Sequence, residues 1–134
     1  MQLRSRMVAR DQQFIPSVMN RLIEIRSYKL KPGTAHEFHN AVASTTVPML
    51  RTWGMDVVAF GPSAHEPDTY FLIRAYNDLA DLRSQQDAFY GSPAWREGPR
   101  ESIVSRIESH LSTVVWLSPE SIDDLRRSNA SVED

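Results

Sequence analysis

Residues 21–30 read RLIEIRSYKL, and in this stretch Ile23 and Ile25 alternate with Glu24, Arg26 and Tyr28. A period of two marks a β-strand, because successive side chains leave opposite faces of the pleat. Lys31-Pro32-Gly33-Thr34 follows as a turn, and the Thr34 hydroxyl is placed to cap the next element. That element is a helix: Ala35, Phe38, Val42 and Ala43 fall on one stripe at helical spacing. Pro48 interrupts the pattern. The helix should kink there or restart as a second piece carrying Met49, Leu50 and Trp53, with Gly54 as its stop.

Outward from this unit, Met55 to Phe60 is apolar except for Asp56 and ends at Gly61-Pro62, which makes it a second strand. Ser63 to Asp68 is a polar loop, and residues 69–76, TYFLIRAY, are a third strand rich in aromatic and β-branched side chains. Asn77 or Asp78 caps a helix carrying Leu79, Leu82 and Phe89, which Gly91-Ser92-Pro93 breaks. A further helical stretch from Ala94 carries Trp95, Ile103, Val104 and Ile107, and residues 110–117, HLSTVVWL, form the last strand. The order β-α-β-β-α-β predicts an α+β, ferredoxin-like domain over residues 21–118, a four-stranded antiparallel sheet with helices on one face. Right-handed crossovers put the first and third strands side by side at its centre.

The flanks differ. Residues 1–20 hold Arg4, Arg6 and Arg10 against a single acid, Asp11, without sustained apolar periodicity, and read as an N-terminal arm or extension. They lack the apolar core of a secretory signal. Residues 119–134 read as a polar C-terminal tail with at most one short turn or helix around Ile122 and Leu125. The whole chain has 134 residues, with 15 Lys+Arg, 17 Asp+Glu, four His and no Cys. Without Cys there is no thiol catalysis, no disulfide and no cysteine-based metal site. A net charge of −2 gives no general attraction to nucleic acid or anionic lipid. No stretch approaches the roughly 18 apolar residues of a membrane span. The expectation is a cytoplasmic protein with no nucleic-acid and no membrane partner.

A one-sided sheet needs one apolar face for its helices. Ile23, Ile25 and Ser27 on the first strand, with Phe71, Ile73 and Ala75 on the third, are the apolar sets and are expected to meet the helices. The opposite face would carry Glu24, Arg26, Tyr28, Tyr70, Arg74 and Tyr76, joined by Trp116 and Val114 or by Phe60 and Val58 according to register. Tyrosines mixed with paired charges suit an interface, where a ring is buried while its polar tip stays bonded. Two such sheets packed together make a homodimer with a polar-aromatic cavity between them. Glu24 is then expected to pair with Arg26 or Arg74.

Three stretches resemble the NIPSNAP family. Glu24-Ile25-Arg26-Ser27-Tyr28-Lys29-Leu30-Lys31-Pro32-Gly33 resembles its E-L-R-x-Y-x-L-x-x-G opening. Val47-Pro48-Met49-Leu50 with Trp53-Gly54 resembles its L-P-x-x-x-x-x-G element, and Ser92-Pro93-Ala94-Trp95 its D-P-x-W element. Ser92 departs from the aspartate often found there. The resemblance covers about residues 21–118 and implies small ferredoxin-like subunits that pair sheet to sheet as dimeric α+β barrels. It implies no settled biochemical role.

Catalytic signatures are sparse. The chain has no G-x-S-x-G elbow, P-loop or G-x-G-x-x-G run. His36 and His39 share a helix face without the three or four converging ligands a metal needs, so they read as surface histidines and no metal or cofactor is expected. The acid–base candidates are Glu24, the best of them, and Tyr28, Tyr70 and Tyr76, with Arg26 and Arg74 as anion holders; the same arginines and tyrosines would be the polar contacts of a bound molecule. Trp53, Trp95 and Trp116 are candidates for an apolar pocket wall. Three roles remain open on these residues. They are a homodimer binding a small organic molecule between its sheets, a cofactor-free monooxygenase or isomerase using the same cavity, and a structural subunit whose face is consumed by dimerisation.

Overall fold

The computed structural model describes residues 19–130. The arm expected over residues 1–20 falls almost wholly outside them. Strands β1 (Arg21–Leu30), β2 (Asp56–Pro62), β3 (Thr69–Tyr76) and β4 (Ile107–Leu117) form one antiparallel sheet in the order β2-β3-β1-β4. The two strands with the clearest period-two pattern are therefore its centre, as expected. Between them run α1 (Ala35–Ala41), a π-helical turn (Val42–Thr46) and α2 (Val47–Trp53), then α3 (Leu79–Tyr90), α4 (Pro93–Arg96) and α5 (Arg100–Val104). Helix α6 (Pro119–Ser128) ends the described chain.

Pro48 sits in the first turn of α2, where its missing N–H costs nothing. A widened turn at Val42–Thr46 precedes it, and α2 restarts as a second piece with the proline near its first turn, as expected. Gly54 closes α2 in the left-handed conformation at φ 109°. Asp78 caps α3 by accepting from the Asp81 N–H. Thr34 does not cap α1 as expected; its hydroxyl donates to the Lys31 carbonyl and tightens the preceding turn instead. The stretch from Ala94 is two short helices rather than one, and Ile107 already belongs to β4.

The two faces of the sheet are the reverse of the expectation. Tyr28, Tyr70 and Leu72 pack with Phe38, Val42, Leu50, Phe89 and Trp95 beneath α1–α5. The apolar set, Ile23, Ile73, Ala75, Val58 and Ala59, faces the other way and is covered in part by Ile122 and Leu125 of α6. The expected polar tail is thus a ten-residue amphipathic helix that supplies a small second core. Charged residues tolerate the buried side because Glu24 pairs there with both Arg74 and Arg26, and the tyrosines bring more apolar volume than the aliphatic set does.

Candidate functional site

Register builds the site. Glu24 lies directly opposite Arg74, and Tyr28 opposite Tyr70, across the central β1–β3 pair. Arg26 and Tyr28 follow Glu24 at two-residue steps, so all three point toward the helices. On α3, Gln86 and Tyr90 are one turn apart and descend onto the same charges.

Glu24 Oε1 accepts from Arg74 Nη2 at 2.8 Å and from Gln86 Nε2 at 2.8 Å, while Oε2 accepts from Arg26 Nη2 at 3.0 Å. Arg74 is 0 % exposed and Glu24 3 % exposed. Arg74 Nη1 donates to the Tyr90 hydroxyl at 2.8 Å, and its guanidinium carbon lies 5.7 Å from the centre of that ring. Tyr76 shares Gln86 Nε2 at 3.2 Å, and Arg26 Nε donates to Ser112 Oγ at 3.1 Å. Burial pushes the Glu24 carboxyl up, but the charges of Arg74 and Arg26 and the bonds from Arg74 and Gln86 outweigh it and hold the group below its ordinary 4.5. Glu24 is therefore a fixed carboxylate.

Beside this network lies a cavity of about 480 Å³ between the sheet and the helical layer. Phe38, Val42, Leu72 and Ile103 give it apolar walls, and Arg26, Tyr28, Tyr70 and Thr46 set polar groups into them. Burial pushes the Tyr28 hydroxyl up to about 12, with Tyr90 adding to the effect. Burial raises the Tyr70 hydroxyl as well. Both phenols stay protonated near neutrality. Tyr70 OH lies 2.6 Å from His39 Nδ1, and burial and the neighbouring His36 hold His39 below its ordinary 6.5, which favours the neutral ring. Thr46 is 6 % exposed, and its hydroxyl has no hydrogen-bond partner.

Of the residues expected at a site, Arg26, Tyr28, Tyr70 and Trp95 line this cavity. Glu24, Arg74 and Tyr76 lie in the network beside it. Trp53 packs edge-on against Phe89 and is partly exposed on another surface, and Trp116 is half-exposed on β4. The expected location between two sheets is corrected: these polar groups face the helices of the same chain. Thr46, Gln86, Tyr90 and His39 were not anticipated. The four-residue spacing of Gln86 and Tyr90 was a usable signal for one helix face. For Thr46 the only hint was Pro48 two residues on. Among the described residues no group of three His, Asp or Glu is placed to hold a metal ion, and no helix is long and apolar enough to cross a membrane.

A ferredoxin-like α+β domain with a pocket between its layers is the class these features define. The NIPSNAP family model matches residues 23–119, and the chain belongs to that family. An uncharacterised NIPSNAP domain protein from Burkholderia xenovorans superposes with a TM-score of 0.65 at 17 % identity, over 73 % of this chain and 95 % of that one. A NIPSNAP family protein of unknown function from Agrobacterium tumefaciens gives 0.68 at 20 % identity, over 75 % and 90 %. A putative antibiotic biosynthesis monooxygenase from Nitrosomonas europaea gives 0.53 at 16 % identity, over 70 % and 95 %. Such likenesses define the fold alone. No functionally curated protein matches the chain.

Proposed function

We propose that this NIPSNAP protein binds a small organic molecule in the cavity between its sheet and its helical layer, one site in each subunit. The observation that carries the reading is the cavity itself: about 480 Å³ of space with apolar walls and a few converging polar groups. Small-molecule sites have this character, and packed cores do not leave room of this size. A thermal-shift screen of metabolites tests it, since a ligand of the folded state raises the melting temperature. Hits should be lost in Ile103→Trp, which fills the cavity. Hits that survive this substitution place the ligand elsewhere.

The subunits are proposed to pair through the open sheet face. Leu111 on β4 is 70 % exposed there, beside partly exposed Ile25 and Phe71 and the exposed Val115. An apolar stripe of this kind is what a sheet partner would cover. The cofactor-free enzyme reading moves from Glu24, whose oxygens are fully engaged, to Tyr70 with His39 behind it. The 2.6 Å contact would let a proton leaving a bound substrate pass through the Tyr70 hydroxyl to His39. Tyr70→Phe should then abolish turnover of a bound hit without abolishing its binding.

A further inference from the structure

Two features of the pocket exceed what folding needs. The first is charge. In the network beside the cavity one carboxylate, Glu24, is shared by two guanidiniums, Arg26 and Arg74, and Arg74 is already held by Glu24 and Tyr90. Arg26 reaches the cavity with a side chain only 16 % exposed. At the cavity wall Arg100 and Glu108 are of opposite sign, so they leave the Arg26 excess in place. A nearly buried positive charge that its surroundings do not balance is costly, and an entering anion relieves it.

The second feature is Thr46. Its hydroxyl is buried in the cavity wall without a partner. A buried polar atom left unbonded costs stability, whereas valine has nearly the same shape and no such cost. The hydroxyl sits in the π-helical turn, a local distortion that often marks a functional position.

We infer that the ligand is a two-ended apolar acid, with a carboxylate set against Arg26 and a hydroxyl or carbonyl oxygen at its other end bonded to Thr46. The aliphatic and aromatic walls between, Phe38, Val42, Leu72 and Ile103, take its apolar body. Tyr28, protonated near neutrality, is a further donor for the acid end. This inference rests on the proposed binding role and adds the chemical class.

The test uses three flexible probes on the full chain: ω-hydroxyoctanoate, its carboxamide ω-hydroxyoctanamide, and octanoate, which lacks the hydroxyl. Calorimetric affinities should favour the hydroxy acid over its amide by about tenfold or more, the range of a charge-assisted bond. Octanoate should fall below the hydroxy acid by roughly two- to tenfold, the range of a neutral bond. Arg26→Gln should erase the acid–amide preference and Arg26→Lys, which keeps the charge, should retain part of it. The lysine variant keeps the test valid where the glutamine variant fails to fold. Thr46→Val should make octanoate and the hydroxy acid equal, while the melting temperature without ligand stays the same or rises. Equal binding of acid and amide by the native protein overturns the anion. A hydroxyl preference that survives Thr46→Val overturns the Thr46 contact. Binding of no probe at millimolar concentration, together with no hit in the metabolite screen, overturns the binding role itself; a screen hit lacking any acid group overturns only the class.

Discussion

Arg74 Nη2 and Glu24 Oε1 lie 2.8 Å apart under the helical layer, on directly opposed positions of the two central strands, and neither side chain reaches solvent to any extent. The pair ties β1 to β3, and through Gln86 and Tyr90 it ties both to α3.

Removing one partner leaves the other as an uncompensated buried charge. Glu24→Gln should therefore cost about 3–5 kcal/mol, measured by urea unfolding at fixed protein concentration. Combining it with Arg74→Met should cost less than the two separate losses added together, because the charge left behind is also gone. A loss below about 1 kcal/mol for Glu24→Gln would mean that the pair is not holding the layer.

Acid should weaken the protein in a defined order. His39 is held below 6.5, so the unfolded chain takes up a proton there first, and stability begins to fall as pH drops through that value. Glu24 is held below 4.5 and Asp56, bonded to Arg21 and Arg126, below 3.8; their stabilisation is complete above those values and is lost as pH falls through their lower folded ones. Denaturant unfolding at successive pH values should show the fall steepening below about pH 4.5, and Glu24→Gln should flatten that lower part.

The strands and their order were legible because period-two alternation survives in Ile23–Tyr28 and in residues 69–76 whichever face is buried. The choice of face was not. Counting polar against apolar residues assumes that a charge belongs in water, and here Glu24 is paired with Arg26 on its own strand and with Arg74 on the neighbouring one. That pairing depends on the Glu24–Arg74 register and on Gln86 and Tyr90 arriving from α3, none of which a single strand displays. Helix α6 carried the missing clue. Ile122 and Leu125, three apart in a polar tail, needed an apolar surface, and Ile23, Val58 and Ile73 were the ones left uncovered. For the site, Arg26, Tyr28 and Tyr70 were legible as residue types gathered on one face. Thr46 was not, because its meaning lies in the bond it lacks.

Helix α6 is accordingly part of the folding unit. Arg126 bridges to Asp56 at 3.2 Å and to the Val57 carbonyl at 3.2 Å, while Ile122 is buried against the sheet. Ile122→Ala should cost about 2–5 kcal/mol, the range for emptying a core site. Ending the chain after Leu117 should leave Ile23, Val58 and Ile73 bare and promote aggregation, followed by light scattering.

Pairing through the open face should be sensitive to charge. Leu111 lies on the sheet side away from the pocket, opposite Ser27 on β1. Leu111→Asp should turn a dimer into a species sedimenting at the subunit mass of 15.3 kDa, with pocket binding intact. A native chain already monomeric at micromolar concentration would remove this interface.

Ser92 links the backbone to the pocket wall. Its hydroxyl donates to the Phe89 carbonyl at 2.6 Å and accepts from the Trp95 N–H at 3.2 Å, closing α3 and opening α4 with one side chain. Ser92→Ala loses both bonds and should cost about 1–2 kcal/mol, the upper range for a helix cap. Trp95 lines the cavity, so the loosened cap should also weaken ligand binding and shift the tryptophan emission. Ser92→Asp restores the residue type common in the family. It can still accept from Trp95 but has no proton for Phe89, so its stability should fall between serine and alanine. If alanine matches serine in both unfolding and binding, the hydroxyl is not what positions Trp95.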